Sequence, residues 1–160
     1  MTRKPLIVAA AGGSALLLAG AYVFQALGYL PCAMCLWQRW PHWAAIVIGI
    51  AALALPGRAM PLLGGVAAAV TSGIGVYHTG VERAWWPGPA SCTGGGGGAL
   101  SGDLLSMDGP RLILCDQVSW EFLTLSMASW NALFSAILVL IWIAAARAPA
   151  ASPPLAGAAR

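Results

Sequence analysis

The segment LIVAAAGGSALLLAGAYVFQAL, residues 6–27, is apolar over almost its whole length and contains no charged side chain. As a helix, these 22 residues would extend about 33 Å, and the hydrocarbon core of a bilayer is about 30 Å thick. The segment therefore predicts a transmembrane helix. The basic TRK stretch before it also resembles the start of a cleavable signal peptide, but the apolar character continues to a full span, which favours a retained helix.

The composition of the whole chain also indicates a membrane protein. Hydrophobic residues make up 59% of the 160 residues, and charged residues make up only 8%. A water-soluble domain carries roughly a quarter charged residues. The net charge of +3 is too small and too dispersed to predict a nucleic-acid partner. We therefore expect an integral membrane protein that contacts lipid.

Three further apolar segments are predicted spans, at about residues 41–55, 60–78 and 126–146. Pro41 and Pro61 suit the first turn of a helix, where the missing N–H has no intrahelical partner. The sequence thus predicts an all-α fold, a bundle of four transmembrane helices that forms one domain over residues 1–146. The Ala/Pro-rich tail, residues 147–160, is predicted to be disordered.

Small residues recur at every fourth position on two of the spans: Ala11, Ala15 and Ala19 on the first, and Gly65, Ala69 and Gly73 on the third. In lipid, small residues at this spacing let helix backbones approach closely. The pattern favours a compact bundle, although the abundance of alanine and glycine in this chain explains it equally well.

The charge distribution predicts the orientation, because Lys and Arg favour the cytoplasmic side. Four spans put both termini on one side, and that side holds five of the eight basic residues: Arg3, Lys4, Arg58, Arg147 and Arg160. The opposite side holds all five acidic residues: Glu82, Asp103, Asp108, Asp116 and Glu121. We therefore predict that both termini are cytoplasmic and that residues 28–41 and 79–125 are outer loops.

All four cysteines fall in the predicted outer loops, Cys32 and Cys35 in the first and Cys92 and Cys115 in the second. Disulfides persist in oxidising compartments such as the periplasm. Two structural disulfides are one interpretation, and a bridge between Cys92 and Cys115 fits it because it closes a long loop. A bridge between Cys32 and Cys35 would close a very small ring, which is typical of redox-active pairs.

A metal or haem site is the other interpretation of a C-x-x-C motif. Zinc usually takes two such motifs or a matching histidine pair, and this chain has a single one. Haem attachment needs a histidine directly after the second cysteine, where this chain has Leu36. We therefore predict no metal site.

Arg39 supports the redox interpretation. It stands four residues after Cys35, so that on a helix the two would share a face and the guanidinium would favour the thiolate. An arginine at this depth could equally extend to the lipid headgroups. A dithiol at a membrane surface needs an electron acceptor, and a quinone dissolved in the lipid is the candidate. Arg39 could hydrogen-bond to its carbonyl oxygen, and His78, at the outer end of the third span, is a second candidate for the same pocket.

The chain resembles the DsbB family, the inner-membrane disulfide-bond formation proteins of Gram-negative bacteria. The resemblance covers about residues 6–146 and rests on PCAMCLWQR, the pair Cys92 and Cys115, GVYHTGVE and CDQVSWEFLTLSMASWN. It implies an enzyme, a protein-disulfide:quinone oxidoreductase in the bacterial inner membrane, with its active site on the periplasmic side. The implied partner is a soluble DsbA-type thioredoxin-fold oxidase, and the implied cofactor is ubiquinone or menaquinone.

The resemblance also implies an order of exchange. The partner would attack Cys92, Cys115 would then exchange with the Cys32–Cys35 pair, and Cys35 would reduce a quinone beside Arg39. The glycine-rich stretch TGGGGGALSG, residues 93–102, predicts in addition that the Cys92 sulfur is mobile and accessible.

The sequence departs from the family at two places. Gln38 stands where many members carry an acidic residue, and the short second loop leaves only residues 104–114 for a helix lying along the membrane. Two alternatives stay open: another four-span quinone-linked thiol oxidoreductase, similar to vitamin K epoxide reductase, and a structural four-span protein with two disulfides.

Overall fold

The computed structural model describes residues 2–55, 57–93 and 114–149. Within these residues it has four helices and one short hairpin: α1 (Arg3–Ala26), α2 (Ala33–Ala54), α3 (Ala59–Glu82), β1 (Glu121–Phe122), β2 (Leu125–Ser126) and α4 (Met127–Arg147). Helices α1, α3 and α4 are each long and apolar enough to cross a membrane. The predicted bundle of four helices agrees with this architecture, and three of its four predicted spans are supported, because α2 is not among the candidate spans. The hairpin was not predicted.

The helices pack as a bundle in which α3 contacts α2 and α4 most extensively, and α1 lies against α2 and α4. Arg3 joins three segments at one end of the bundle. Its guanidinium donates to the carbonyl oxygens of Gly57 and Ala148, at 2.9 Å each. The start of α1, the turn between α2 and α3, and the end of α4 therefore lie together, as alternating helix directions require. The four cysteines lie at the opposite end of the bundle.

Helix α2 begins at Ala33, whereas the predicted span began at Pro41. Cys32 is the N-cap residue: its backbone is extended, and its sulfur accepts a hydrogen bond of 3.2 Å from the backbone N–H of Cys35. The helix then continues through Pro41, which removes one backbone donor from the helix interior. The C-x-x-C motif therefore lies on the first turn of a helix and not in a loop.

Helix α3 also extends beyond its predicted end, from His78 to Glu82. His78 and Glu82 are four residues apart, so they lie on one face of its last turn. At the other end, Arg147 belongs to α4 rather than to the predicted tail. The predicted membrane-parallel helix at 104–114 lies outside the described residues except for Leu114, and so does the tail beyond residue 149.

The end of the bundle near the termini is packed around Trp142, which is fully buried. A side-chain carbon added at Gly64 would meet the indole of Trp142 at 2.7 Å, so only glycine allows this contact. The predicted small-residue stripe of α3 was wrong in register, because Ala69 and Gly73 are exposed. The face that packs is one position away, at Gly64 and Ala68.

The hairpin before α4 closes through Leu123 and Thr124, which both have positive φ angles, 52° and 64°. Two such residues form the tight turn that matches the twist of paired strands. The indole N–H of Trp130 donates to the carbonyl oxygen of Phe122 at 3.1 Å, which holds the hairpin against α4. Trp120, just before it, packs on Phe24 of α1 with ring centroids 5.0 Å apart.

Candidate active site

The Cys32–Cys35 pair is a free dithiol at the start of α2. The two sulfur atoms are 2.8 Å apart, Cys32 is buried, and Cys35 is partly exposed. The hydrogen bond from the Cys35 thiol is the main cause of a lowered pKa of the Cys32 thiol. Burial of Cys32 raises that pKa, and the His78 imidazole lowers it further. Of the two thiols, Cys32 is therefore the one that loses its proton more readily.

His78 lies directly beside this sulfur, with Nε2 at 3.5 Å from the Cys32 Sγ. Its other ring nitrogen, Nδ1, is 2.9 Å from the side-chain nitrogen of Gln38. The Gln38 oxygen is already occupied, because it accepts a bond of 2.7 Å from the Asn131 side chain. The amide nitrogen of Gln38 therefore donates to Nδ1, which leaves the ring proton on Nε2, facing the Cys32 sulfur.

The hydrogen-bond chain continues into the bundle. His42 Nε2 lies 2.9 Å from the Asn131 Oδ1, and Thr71 donates to the backbone oxygen of Gln38 at 3.0 Å. Buried polar groups in a membrane bundle must find such partners inside the protein. Three helices thus fix one orientation of His78. Sequence reasoning missed this chain, although polar residues within apolar spans, such as His42 and Asn131, were its signal.

Glu82 extends the cluster toward the end of the bundle. Its Oε1 lies 3.8 Å from the His78 Nε2, and its side chain is 7% exposed. Its other oxygen, Oε2, accepts a short hydrogen bond from the hydroxyl of Ser126, the N-cap residue of α4. From the sequence, Glu82 was expected only to be a charge in the outer loop, because the predicted third span ended before it.

A cavity of about 460 Å³ opens beside the dithiol. Helices α1 and α4 form its sides, and α2 and α3 contribute polar groups. Most of its wall is apolar, and much of that wall comes from Leu16, Leu17, Phe24, Trp120, Trp130 and Phe134. Its polar lining includes Cys32, Cys35, Gln38, Arg39, His78 and Glu82. The cavity suits a largely apolar molecule that carries a few hydrogen-bonding oxygens.

Arg39 lies in the wall of this cavity together with Cys35, and helix α1 holds it there. Its guanidinium donates to the side-chain oxygen of Gln25 at 2.7 Å and lies 4.8 Å from the centre of the Tyr22 ring. These contacts orient the charge by a hydrogen bond and a cation–π interaction. Arg39 and Cys35 thus line the same cavity from one helix. The expected thiolate at Cys35 is not favoured, because the hydrogen bond with Cys32 and burial raise the pKa of the Cys35 thiol.

The second cysteine pair, Cys92 and Cys115, forms a disulfide. Cys92 is 6% exposed and Cys115 is fully buried, and both belong to one buried cluster with Cys32, Met34 and Val81. The prediction that the Cys92 sulfur is accessible is therefore wrong for this state. The reason is local: the turn that carries Cys92 folds back onto the end of α3, where Val81 covers it.

The dithiol and His78 also form a group of metal-ligand type. The two sulfurs and a ring nitrogen lie within 4.8 Å of one another, and two cysteines with a histidine are zinc ligands in other proteins. The absence of a metal stays a prediction. The same groups also suit thiol–disulfide exchange, because Cys32, whose pKa is lowered, lies beside a second thiol, Cys35, and near the Cys92–Cys115 disulfide.

A membrane helix bundle that packs a dithiol, a disulfide and an apolar cavity together defines the class of membrane thiol–disulfide oxidoreductases. The family model described as disulfide bond formation protein DsbB matches residues 3–145. A relative from Polaromonas sp. strain JS666, Disulfide bond formation protein B, is 30% identical over 149 residues, which covers 88% of each chain. No solved structure matches the chain. The chain therefore belongs to the DsbB family, which confirms the predicted resemblance.

Proposed function

We propose that this protein reoxidises a soluble DsbA-type oxidase and passes the electrons through its two cysteine pairs to a membrane quinone. The observation that carries the proposal is the shared buried cluster of Cys32, Cys92 and Cys115, next to a cavity that Cys35 and Arg39 line. Electrons that enter at the Cys92–Cys115 disulfide can therefore pass to the neighbouring Cys32–Cys35 pair, and from there to a molecule bound in the cavity.

The cavity residues fit a quinone. Its apolar walls accommodate a ring and the start of an isoprenoid tail, and the guanidinium of Arg39 has N–H groups for a carbonyl oxygen. His78, the second predicted quinone ligand, also lines the cavity, but its one N–H faces the Cys32 sulfur and its Nδ1 accepts from Gln38. When bound, a quinone accepts two electrons and two protons and becomes a quinol. Arg39 would hold one carbonyl and stabilise negative charge as electrons arrive, because its guanidinium stays charged. The walls would keep bulk water away from that charge.

The first exchange takes place at the disulfide. A thiolate of the partner attacks the Cys92 sulfur, and Cys115 leaves as a thiolate. A second partner thiolate then attacks the mixed disulfide, which completes the partner's disulfide and leaves Cys92 and Cys115 reduced. Because Cys92 is buried against Val81, its turn must open before a partner can reach it. Partner binding would therefore be the event that exposes Cys92.

The second exchange joins the two pairs. The Cys115 thiolate attacks the oxidised Cys32–Cys35 bridge at Cys32, which lies in the same buried cluster, and Cys35 is released. The Cys92 thiolate then attacks the Cys115 sulfur of this Cys115–Cys32 mixed disulfide, and Cys32 leaves as a thiolate. The final products are a Cys92–Cys115 disulfide and a reduced Cys32–Cys35 pair. The pair would then give two electrons to a quinone bound in the cavity, and the Cys32–Cys35 disulfide would form again. Helix α2 keeps Cys35 in the cavity wall during both steps.

The cysteine end of the bundle would face the periplasm, and the end joined by Arg3 would face the cytoplasm. The asymmetry of basic and acidic residues favours this orientation. DsbB is an inner-membrane family. A membrane-impermeant thiol reagent added from the periplasmic side should therefore label the reduced cysteines. Labelling of Cys32 or Cys92 only from the cytoplasmic side would contradict the proposal.

The deciding experiment reconstitutes the purified protein with a reduced DsbA-type oxidase and ubiquinone-1, and in parallel with a menaquinone analogue. We expect stoichiometric loss of partner thiols and of quinone absorbance. The matched variant Cys92→Ser should stop oxidation of the partner but still reduce quinone when dithiothreitol supplies the electrons. Quinone reduction that proceeds with Cys92→Ser and the protein partner would show that the second pair is structural.

Trapping tests the order of exchange. In Cys115→Ser, an oxidised Cys92 has no thiol in its own pair to return to, so a mixed disulfide with the partner should accumulate when the partner's resolving cysteine is removed. Mass spectrometry locates the bond. A partner attached to Cys32 or Cys35 would overturn the proposed relay.

A further inference from the structure

Glu82 separates two cavities. One is the cavity beside the dithiol, and the other is a smaller cavity of about 240 Å³ whose lining is more polar. The second cavity is lined by Glu82, Arg83, Val118, Glu121, Thr124 and Ser126. It is formed by the end of α3, the segment before the hairpin, the hairpin and the N-cap of α4, at the cysteine end of the bundle. Of the acidic residues in the described ranges, only Glu82 lines both cavities.

The carboxyl group of Glu82 has one oxygen directed to each side. Oε2 accepts the hydrogen bond from Ser126, which lines the smaller cavity. Oε1 lies 3.8 Å from the Nε2 of His78, which lines the larger cavity. With 7% of its side chain exposed, Glu82 is part of the wall between the two spaces and not a solvated surface charge.

The chemistry of the larger cavity requires a proton from outside the dithiol. Reduction of a quinone to a quinol forms two O–H bonds. The Cys35 thiol supplies one proton when its S–H bond breaks and the Cys32–Cys35 bond forms. Of the two sulfurs, Cys32 is the one that the 2.8 Å contact with the Cys35 sulfur and the His78 Nε2 at 3.5 Å favour as a thiolate, and a pair that reacts in this state supplies one proton for two electrons. Two electrons leave the pair, so one further proton must enter the cavity in each cycle.

We propose that Glu82 is the inlet for this proton: it gives the proton of its carboxyl group to the larger cavity and takes a new one from water in the smaller cavity. This inference rests on the proposed function and adds the route of the second proton. His78 keeps its own proton on Nε2, where it faces the Cys32 sulfur and Gln38 fixes the opposite nitrogen. Glu82 is thus the titratable group free to exchange a proton between the two sides.

Other charged groups face Glu82 and set the conditions of the test. His78, Cys32 and Cys35 face it from the larger cavity, and Arg83 and Glu121 line the smaller one. Arg83 donates to the carbonyl oxygen of Thr124 at 3.0 Å, which keeps its charge at the mouth of the smaller cavity. A pH profile must therefore be read by comparison with a variant that changes Glu82 alone.

The experiment compares Glu82→Gln with the wild type in single turnovers. Glutamine keeps the size of the side chain and an oxygen for Ser126, but it cannot carry a proton. We expect quinone reduction by the reduced Cys32–Cys35 pair to slow by about 100-fold, the usual scale for loss of a general acid. The equilibrium affinity for ubiquinone-1, measured by tryptophan fluorescence, should change by less than about twofold, because Glu82 acts in proton transfer and not in holding the quinone. Asp116→Asn, an exposed carboxylate that lines neither cavity, is the matched control and should behave as wild type.

A second readout is independent of turnover. Infrared difference spectra of wild type, recorded as the bound quinone is reduced, should contain a carboxyl C=O band that shifts in deuterated water and is missing in Glu82→Gln. If Glu82→Gln does not fold, Glu82→Asp serves in its place and should retain the band at a shifted frequency with a slower reaction.

The outcomes separate the two proposals. A wild type that does not reduce quinone overturns the proposed function itself. A wild type that reduces quinone, together with a Glu82→Gln variant that does so equally fast from pH 5.5 to 8, overturns only the proton inlet. A carboxyl band that persists in Glu82→Gln also overturns it.

Discussion

The two ends of the bundle use the same four helices in opposite ways. Near the termini, glycine and alanine bring the backbones together, and Trp142 fills the remaining space against Gly64. At the cysteine end, the helices present His78, Gln38 and Asn131 to one another and leave a cavity of about 460 Å³. We infer that the close packing near the termini holds the four helices in place, and that this allows the cysteine end to keep a cavity and buried polar side chains.

This division assigns different consequences to substitutions at the two ends. At the dense end, a change of volume should alter the free energy of unfolding and leave the chemistry intact. At the open end, a change of one polar group should alter reactivity or affinity with little effect on stability. The following experiments test that separation, from the largest expected effect to the smallest.

The largest effect is expected for Cys35→Ser. Serine has nearly the same size but cannot form a disulfide, so quinone reduction should fall to background with either the protein partner or dithiothreitol. The measurement is quinone absorbance, and thermal unfolding should stay close to that of the wild type. Residual quinone-dependent turnover in Cys35→Ser would show that the second pair reaches the cavity directly.

Removal of the guanidinium in Arg39→Ala should come next. A hydrogen bond to a charged group contributes about 1.5–3 kcal/mol, so quinone binding should weaken roughly 10- to 150-fold. Arg39→Lys should lie between the two, because lysine keeps the charge and loses the planar set of donors. Thiol exchange with the protein partner should be unchanged. Unaltered quinone affinity in Arg39→Ala would mean that the guanidinium serves only its contacts with Gln25 and Tyr22.

At the dense end, Gly64→Ala should destabilise the bundle by about 1–3 kcal/mol, the usual cost of overpacking. The new methyl group meets the fully buried Trp142 indole at 2.7 Å, so the ring or the helix must shift. Gly12→Ala is the matched control, since no atom lies within 4 Å of its added carbon. Thermal unfolding in detergent measures both. Equal stability of the two variants would contradict the dense packing described for this end.

Hydropathy and cysteine positions predicted much of this molecule, because both are properties of contiguous sequence. The four apolar segments became the four helices, and the C-x-x-C motif was found beside a lipid-facing segment. The start of α2 was missed because the preference of Pro41 for a first turn was outweighed by the Cys32 cap and by packing of the preceding turn. The start of this helix depends on tertiary contacts as well as on local preference, and the sequence of one segment does not show those contacts.

The hydrogen-bond chain could not be predicted for a different reason. Gln38, His78 and Asn131 lie on three different helices, and their contacts depend on the rotation of each helix about its axis. The small-residue stripe of α3 suggested a rotation that was wrong by one position. That error turns a helix by about 100°, which is enough to move a polar side chain from the bundle interior to the lipid.

The smallest effect is expected for Gln38→Met, which keeps the volume of the side chain and removes its bond to the His78 Nδ1. His78 is then free to change its tautomer or rotate, and its Nε2 proton no longer faces the Cys32 sulfur in a fixed geometry. The pKa of the Cys32 thiol should therefore rise. The rise should stay below about one pH unit, or about 1.4 kcal/mol, because the bond from Cys35, the main cause of the low pKa, remains.

The sign of the effect determines the measurement. A lowered pKa keeps Cys32 as a thiolate while the pH falls toward that value, and a higher pKa in Gln38→Met makes the thiolate disappear earlier. Alkylation of Cys32, mapped by mass spectrometry across an acidic to neutral pH series, should therefore decline at a higher pH in the variant. Ser72→Ala is the matched control, because it removes a bond from Ser72 to the Ala132 carbonyl oxygen without touching His78. Identical profiles for the two variants would show that the hydrogen-bond chain packs the open end without tuning its chemistry, and the contrast between the two ends would then be one of shape alone.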